Sequence, residues 1–265
     1  MSRIERSQQE QELVDKAFRY LPGGTLGNVK LSKEQAVVIA SGRGSKLYDV
    51  SGNEYIDYLL GSGPMVLGHA HSQVVAAVQD YANRGSTFFA ANEPVILLAE
   101  EVVEAVPCAD QVRFTTSGTD ATFQCLRLAR AFRRRDMVMK FEGGFHGMHD
   151  YSLMSLAPRT LADFPEPTPG SAGIPRAITD TVLIAPFNDL ETATAIIETH
   201  CDDLAGVIVE PFQRVLPPAP GFLQGLREVT RQYGIPLIFD EVVTGFRFAY
   251  GGAQEYYGVV PDLAA

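Results

Sequence analysis

The sequence predicts an α/β protein built on a mainly parallel sheet with helices on both faces. Three observations lead there. From Ser72 onward, stretches of helical period alternate with short apolar runs, the rhythm of repeated strand–helix–strand units. The runs Val182–Ala185, Gly206–Val209 and Leu237–Phe239 are continuously apolar rather than alternating, as in strands covered on both faces. The helical stretches are amphipathic: Ala121, Cys125, Leu128, Ala129 and Phe132 share one face, as do Phe222, Leu226, Val229 and Tyr233.

Taken in order, Ser2 to Tyr20 has helical character and stops at Leu21-Pro22-Gly23-Gly24. Three short strands follow at Ala36–Ala40, Lys46–Val50 and Glu54–Tyr58, with Ser51-Gly52-Asn53 as a hairpin turn. Helices are predicted near 72–83, 94–105, 119–134, 189–199 and 222–233. Strands are predicted near 111–115, 137–141, 181–185, 205–209 and 235–239. Residues 158–176, with Pro158, Pro165, Pro167, Pro169 and Pro175, read as a long loop of the kind that is often functional. This organisation divides the chain into residues 1–60, a helix and short strands belonging to a smaller domain, and residues 61–265, a large domain. Ligands of such a sheet sit at the carboxyl ends of its strands.

Composition narrows the class. The 265 residues are 46% hydrophobic and carry a net charge of −10, which disfavours a nucleic-acid backbone or an anionic membrane as partner. Arg133-Arg134-Arg135 reads as the solvated end of a helix. Cys108, Cys125 and Cys201 are odd in number and form no CxxC, which fits a reduced, cytoplasmic setting and neither a disulfide framework nor a zinc knuckle. Residues 1–20 are polar and mixed in charge, without the apolar stretch of a signal peptide or membrane span.

Three segments carry chemistry. Ser117-Gly118-Thr119 precedes a helix, where free N–H groups and the positive end of the helix dipole favour an anion. An ordinary N-cap accounts for the same residues. Asp240-Glu241 closes a buried strand, where a carboxylate needs a cation or donors; a protonated pyridine nitrogen, a salt bridge and a metal all qualify. In Glu142-Gly143-Gly144-Phe145-His146 the glycines permit a sharp turn and a close approach to a ligand, and Phe145 is able to stack on a heterocycle. A core Phe beside a loop His is the plainer account. His146 with His149, and His69 with His71, lack an HExxH pattern or neighbouring cysteines and read as structural. No GxGxxG follows a strand, and neither a P-loop nor a GxSxG elbow is present.

The joint order of motifs is more specific than any one. Gly61-Ser-Gly-Pro-Met-Val-Leu-Gly-His-Ala-His71, Ser117-Gly-Thr-Asp-Ala-Thr122, Leu126-Arg-Leu-Ala-Arg130, Phe141-Glu-Gly-Gly-Phe-His-Gly147, Gly206-Val-Ile-Val-Glu-Pro211 and Phe239-Asp-Glu-Val-Val-Thr-Gly-Phe-Arg247 occur in one series. From about residue 35 to 265 this series resembles the class III pyridoxal-phosphate aminotransferases, most closely their glutamate-1-semialdehyde aminomutase branch. The resemblance implies the large domain of a fold-type I transferase, pyridoxal 5'-phosphate as cofactor, a small-molecule substrate that is an amino acid or keto acid, and a homodimer. It also implies roles. Ser117, Gly118 and Thr119 would bind the cofactor phosphate, with Phe145 and Val242 on the two faces of the ring. Asp240 would pair with the ring nitrogen and keep it protonated, Glu210 would lie near the ring hydroxyl, and His146 would sit beside the stacked ring. Metal ligands are not expected.

Departures bear on the substrate side. Ser62-Gly63-Pro64 lacks the aromatic usual in the aminomutase branch, and Phe212-Gln-Arg-Val-Leu-Pro-Pro218 replaces a Gly/Asn-rich turn. Arg214 in that segment is the candidate contact for a substrate carboxylate, since a guanidinium suits a planar anion; a surface ion pair is the alternative. The expected activity is amino-group transfer between an amino acid and a keto acid or aldehyde, with the aminomutase reaction as the alternative.

The family's Schiff-base lysine follows a Pro-Asp-Leu-x-x-Leu-Gly-Lys pattern, which Pro261-Asp262-Leu263 begins; the lysine would fall about three residues past Ala265. The lysines present are Lys16, Lys30, Lys33, Lys46 and Lys140, all upstream of Asp240. Truncation before the lysine is therefore expected, and a non-catalytic scaffold that lost the lysine is the rival from another class. Lys140 is the one substitute to weigh, and its side chain is expected to reach solvent.

Overall fold

The computed structural model describes residues 5–27, 31–158 and 162–265. Residues 2–4 of the expected first helix, Lys30, and residues 159–161 of the Pro-rich loop lie outside them. The chain packs as two compact units, Met1–Ala90 and Ala91–Ala265. The expected division at residue 60 falls within the first unit.

In the first unit, α1 (Gln8–Tyr20) begins at Ser7, whose hydroxyl accepts the Glu10 N–H. β1 (Ile39–Arg43), β2 (Lys46–Asp49) and β3 (Glu54–Ile56) form an antiparallel meander. The expected turn between β2 and β3 forms, with Gly52 at φ +87° and the Asp49 carboxylate accepting the Asn53 N–H at 2.7 Å. Glu10 is fully buried; its carboxylate accepts the Val38 N–H at 2.9 Å and the Ser51 hydroxyl, which ties α1 to the meander. α2 (Ser72–Ala82) follows.

The second unit holds α3 (Glu93–Ala105), α4 (Gly118–Arg133), β4 (Met137–Phe141), α5 (Arg176–Thr179), β5 (Val182–Ala185), α6 (Leu190–His200), β6 (Leu204–Val209), α7 (Phe222–Gln232), β7 (Leu237–Phe239), α8 (Gly252–Tyr257) and β8 (Leu263–Ala264). Its five strands are parallel, in the order β5-β4-β6-β7-β8. The apolar runs are continuous because both faces are covered. Met139, Phe141, Leu183, Val207, Val209, Leu237 and Phe239 pack against Ile197 of α6 and Phe222, Leu223 and Leu226 of α7. Val138, Val182, Ile184, Ala205, Ile208 and Ile238 pack on Cys125, Leu126 and Ala129 of α4. At roughly 25 cal/mol per Å² of apolar area, this double burial is the main source of the unit's stability.

Chain order reverses direction between β4 and β6: β4 leads to β5 on one side, and β6 to β7 and β8 on the other. This is the topological switch point, where the loops leaving the strand ends diverge and open a crevice.

Two expectations are corrected. Residues 111–115 form no strand: they pair with no neighbour among the described residues, and Phe114 is 45% exposed. An alternating run such as Gln111–Thr115 makes a strand only when a ladder partner takes its N–H and C=O groups. Arg133 is not a solvated helix end. Its guanidinium donates to the carbonyls of Cys201 (2.6 Å), Leu204 (3.2 Å), Tyr233 (2.7 Å) and Gly234 (2.9 Å), pinning the end of α4 to three other segments.

Candidate cofactor site

The loops leaving the carboxyl ends of β4 and β7 meet the first turn of α4, and the loop leaving β6 packs on the β4 loop. Ser117 is the N-cap of α4, and its hydroxyl accepts the Asp120 N–H at 3.2 Å while donating to the Asp120 carboxylate at 3.0 Å. The capping account of Ser117 is thus correct for its side chain. The N–H groups of Gly118 and Thr119 have no partner among the described residues, so the donors facing outward from this helix end are backbone groups. Thr119 Oγ1 accepts the Met148 N–H at 3.1 Å, which joins α4 to the loop after β4. Gly147 permits that joint: its φ is +100°, and a Cβ there would stand 2.6 Å from the Thr119 Cα.

That loop carries Phe145 and His146. Phe145 is partly exposed at 38%, whereas His146 is 2% exposed. His146 Nδ1 lies 2.8 Å from Asp240 Oδ2 at the end of β7, and Asp240 is 5% exposed. A carboxylate accepts, so the proton sits on Nδ1. Asp240 Oδ1 also accepts the Val242 N–H at 3.2 Å. The other member of the carboxylate pair turns away. Glu241 caps α8, accepting the N–H of Ala253 (2.6 Å) and Gln254 (3.3 Å) and the Thr244 hydroxyl (2.9 Å). Adjacent residues at a strand end point to opposite faces, and only Asp240 faces the loop bearing His146.

Val242 closes over the helix end. A Cβ on Gly118 would lie 2.9 Å from Val242 Cγ2, so the contact exists because residue 118 is glycine. Glu210, at the end of β6, accepts the Phe145 N–H at 2.6 Å through Oε1, with the Arg214 N–H at 3.4 Å from Oε2. Arg214 adopts φ +60°, donates to the Gly143 carbonyl at 3.3 Å, and holds its guanidinium 5.5 Å from the Phe145 ring centre.

Four further residues, none of them among the expected site residues, support this arrangement. Thr122 donates to the His146 carbonyl at 2.6 Å. His149 Nδ1 accepts the Ser152 N–H at 3.3 Å, and its Nε2 lies 3.3 Å from Thr122 Oγ1, so His149 is structural, as expected. Burial, aided by the positive fields of His146, Lys140 and Arg130, pulls its pKa down to about 4. Gln213 is buried and donates to the Glu142 carbonyl at 2.7 Å. Lys140, from β4, does not reach solvent: it is 1% exposed, and Nζ donates to the carbonyls of Gly144 (2.8 Å), Ser152 (2.9 Å) and Met154 (2.6 Å). Burial lowers its pKa to about 7, against the opposing pull of the Glu210 carboxylate. Among the described residues, no three His, Cys, Asp or Glu side chains are grouped to hold a metal, and no helix is long and apolar enough to cross a membrane.

A switch-point crevice with free N–H groups at a helix end, an exposed aromatic ring and a buried His-supported carboxylate is the architecture of a fold-type I pyridoxal-phosphate protein. The profile of the family described as Aminotransferase class-III matches residues 29–265, and the chain belongs to that family. It is 44% identical over 256 residues to glutamate-1-semialdehyde 2,1-aminomutase of Methanosphaera stadtmanae, an alignment covering 96% of this chain and 59% of that protein. It is 46% identical over 258 residues to glutamate-1-semialdehyde 2,1-aminomutase 2 of Brevibacillus brevis, covering 95% and 59%. Among solved structures it matches an omega-transaminase of Sphaerobacter thermophilus with a TM-score of 0.93 at 39% identity, covering 98% of this chain and 60% of that one. It also matches a glutamate-1-semialdehyde aminomutase of Pseudomonas aeruginosa with a TM-score of 0.81 at 30% identity, covering 96% and 56%. The chain spans about three fifths of the length of the curated relatives it matches.

Proposed function

We propose that this chain forms the pyridoxal 5'-phosphate cradle for amino-group transfer between an amino acid and a keto acid or aldehyde. The observation that carries the reading is the buried His146–Asp240 pair beside Phe145 and the open N–H groups of α4. Bound pyridoxal phosphate supplies an electron-withdrawing pyridinium ring conjugated to the reacting carbon. Gly118 and Thr119, with Ser117 as their cap, hold the phosphate. Phe145 and Val242 flank the ring and exclude water from it. Asp240 would pair with the ring nitrogen and keep it protonated, while His146 fixes the carboxylate's orientation. Glu210 holds the Phe145 loop and would lie near the ring hydroxyl. Arg214, exposed above Phe145, contacts a substrate carboxylate.

The described residues fit the phosphate and the ring but not the covalent anchor. Lys140 is the single lysine of the second unit, and its three donors are committed to carbonyls. The chain as it stands therefore binds the cofactor non-covalently and does not turn over. The aminomutase reaction is the second reading, favoured by the names of the relatives at 44% and 46% identity. A homodimer is consistent with Ile96, Leu97 and Leu98 of α3, each more than half exposed. Cytoplasmic placement fits three free cysteines.

The experiment is Asp240→Asn in a frame extended to the relatives' length. Turnover should fall by several orders of magnitude, since charge stabilisation of this kind is typically worth about 3–4 kcal/mol or more. Phosphate affinity should be retained. Near-normal turnover would remove Asp240 from the reaction.

A further inference from the structure

The Gly144–Phe145 peptide group is gripped at both ends by buried charges. Its carbonyl accepts from the Lys140 ammonium at 2.8 Å, and its N–H donates to the Glu210 carboxylate at 2.6 Å. Lys140 extends from β4 and Glu210 from the neighbouring β6, so the grip belongs to the rigid sheet, not to the loop. A cation on the oxygen and an anion on the nitrogen both act along the peptide dipole, and burial strengthens each bond. Rotation of this peptide plane would break both at once.

We infer that Lys140 is a positioning residue for the cofactor ring: with Glu210 it locks the Gly144–Phe145 peptide and thereby sets the Phe145 ring plane and the register of His146 on Asp240. The placement of the other two bonds agrees. Lys140 also holds the carbonyls of Ser152 and Met154, which closes the segment carrying Phe145, His146 and His149 into a loop around one ammonium. Two glycines precede the gripped peptide, and Gly143 has φ +79°, so the local backbone supplies little rigidity of its own. The anion donors of Gly118 and Thr119 belong to α4, and none of the three Lys140 bonds involves α4.

This independence gives the test a readout that a merely structural role would not move. The inference rests on the pyridoxal-phosphate reading, so one arm is independent of the cofactor. Lys140→Met should raise amide hydrogen exchange at Phe145–Gly147 about tenfold or more, while β4, β6 and α4 keep their protection. In the same protein the Kd for pyridoxal 5'-phosphate should rise about tenfold, as expected for losing one well-placed ring stack. The Kd for inorganic phosphate should stay unchanged. If Lys140→Met does not fold, Glu210→Leu releases the other end of the same peptide and should give the same pattern. Unchanged exchange at 145–147 in the folded variant overturns the inference, as does an equal loss of affinity for both ligands. Absence of pyridoxal-phosphate binding by the unmodified chain would instead overturn the functional reading, leaving the exchange result to decide the grip.

Discussion

His146 and Asp240 lie 94 residues apart in the chain and 2.8 Å apart in the fold, imidazole Nδ1 against carboxylate Oδ2, both enclosed. The contact joins the loop after β4 to the end of β7 across the intervening β6. Without the imidazole, the buried Asp240 carboxylate would keep one donor among the described residues, the Val242 N–H at 3.2 Å.

His146→Leu should therefore cost about 1–3 kcal/mol, the penalty of a buried acceptor left short of donors. His146→Asn, which keeps a donor, should cost less. Urea unfolding of the two variants decides it; a Leu variant as stable as the unmodified protein would mean that the carboxylate does not depend on the imidazole.

Arg214→Ala should raise KM for a carboxylate-bearing substrate in a full-length frame by about tenfold, the scale of a single exposed charge-assisted contact. kcat should change less, because a guanidinium that only holds the substrate carboxylate would not touch the reacting bond. Steady-state kinetics with an amino acid and with an amine lacking the carboxylate separate the cases. Equal kinetics of variant and unmodified enzyme toward the amino acid would make Arg214 only a cover for Phe145.

The fold was legible wherever a pattern is local. Met137–Phe141 matches its expected bounds because a short apolar run is closed by Gly143-Gly144, which turns the chain. Residues 111–115 have equal β character, but a strand needs a partner that the run itself does not specify. The site was legible through motif order, which placed Phe145, His146, Glu210 and Asp240 at strand ends. Motif order does not reveal which way a side chain turns. The residues alone do not separate Asp240, facing His146, from Glu241, capping α8; only the resemblance singles out Asp240. Lys140 and Arg133 depart from expectation for a related reason. Their long side chains find backbone carbonyls 4 to 101 residues away, and a carbonyl leaves no mark in the sequence.

His149 makes the acid limb of stability predictable. Its folded pKa is depressed to about 4, against about 6.5 in an unfolded chain, because burial disfavours the imidazolium. Between those values the unfolded chain binds a proton that the folded chain refuses. The contribution is thus fully present above pH ~6.5 and is lost as pH falls toward ~4. The difference amounts to about 1–3 kcal/mol after allowing for partial exposure. His149→Gln should flatten this part of the profile in urea unfolding between pH 4 and 7. Parallel profiles for the two proteins would show that His149 titrates normally in the fold.

We propose that these 265 residues bind pyridoxal 5'-phosphate non-covalently. The most direct measurement is titration of the purified chain with the cofactor, followed by borohydride reduction and peptide mass mapping. The prediction is saturable binding at one site per chain, competed by inorganic phosphate, with no stoichiometric pyridoxyl adduct on any lysine and no transaminase activity. A stoichiometric adduct on Lys140 accompanied by turnover would contradict it, because that lysine would then have left its three carbonyls to take the aldehyde.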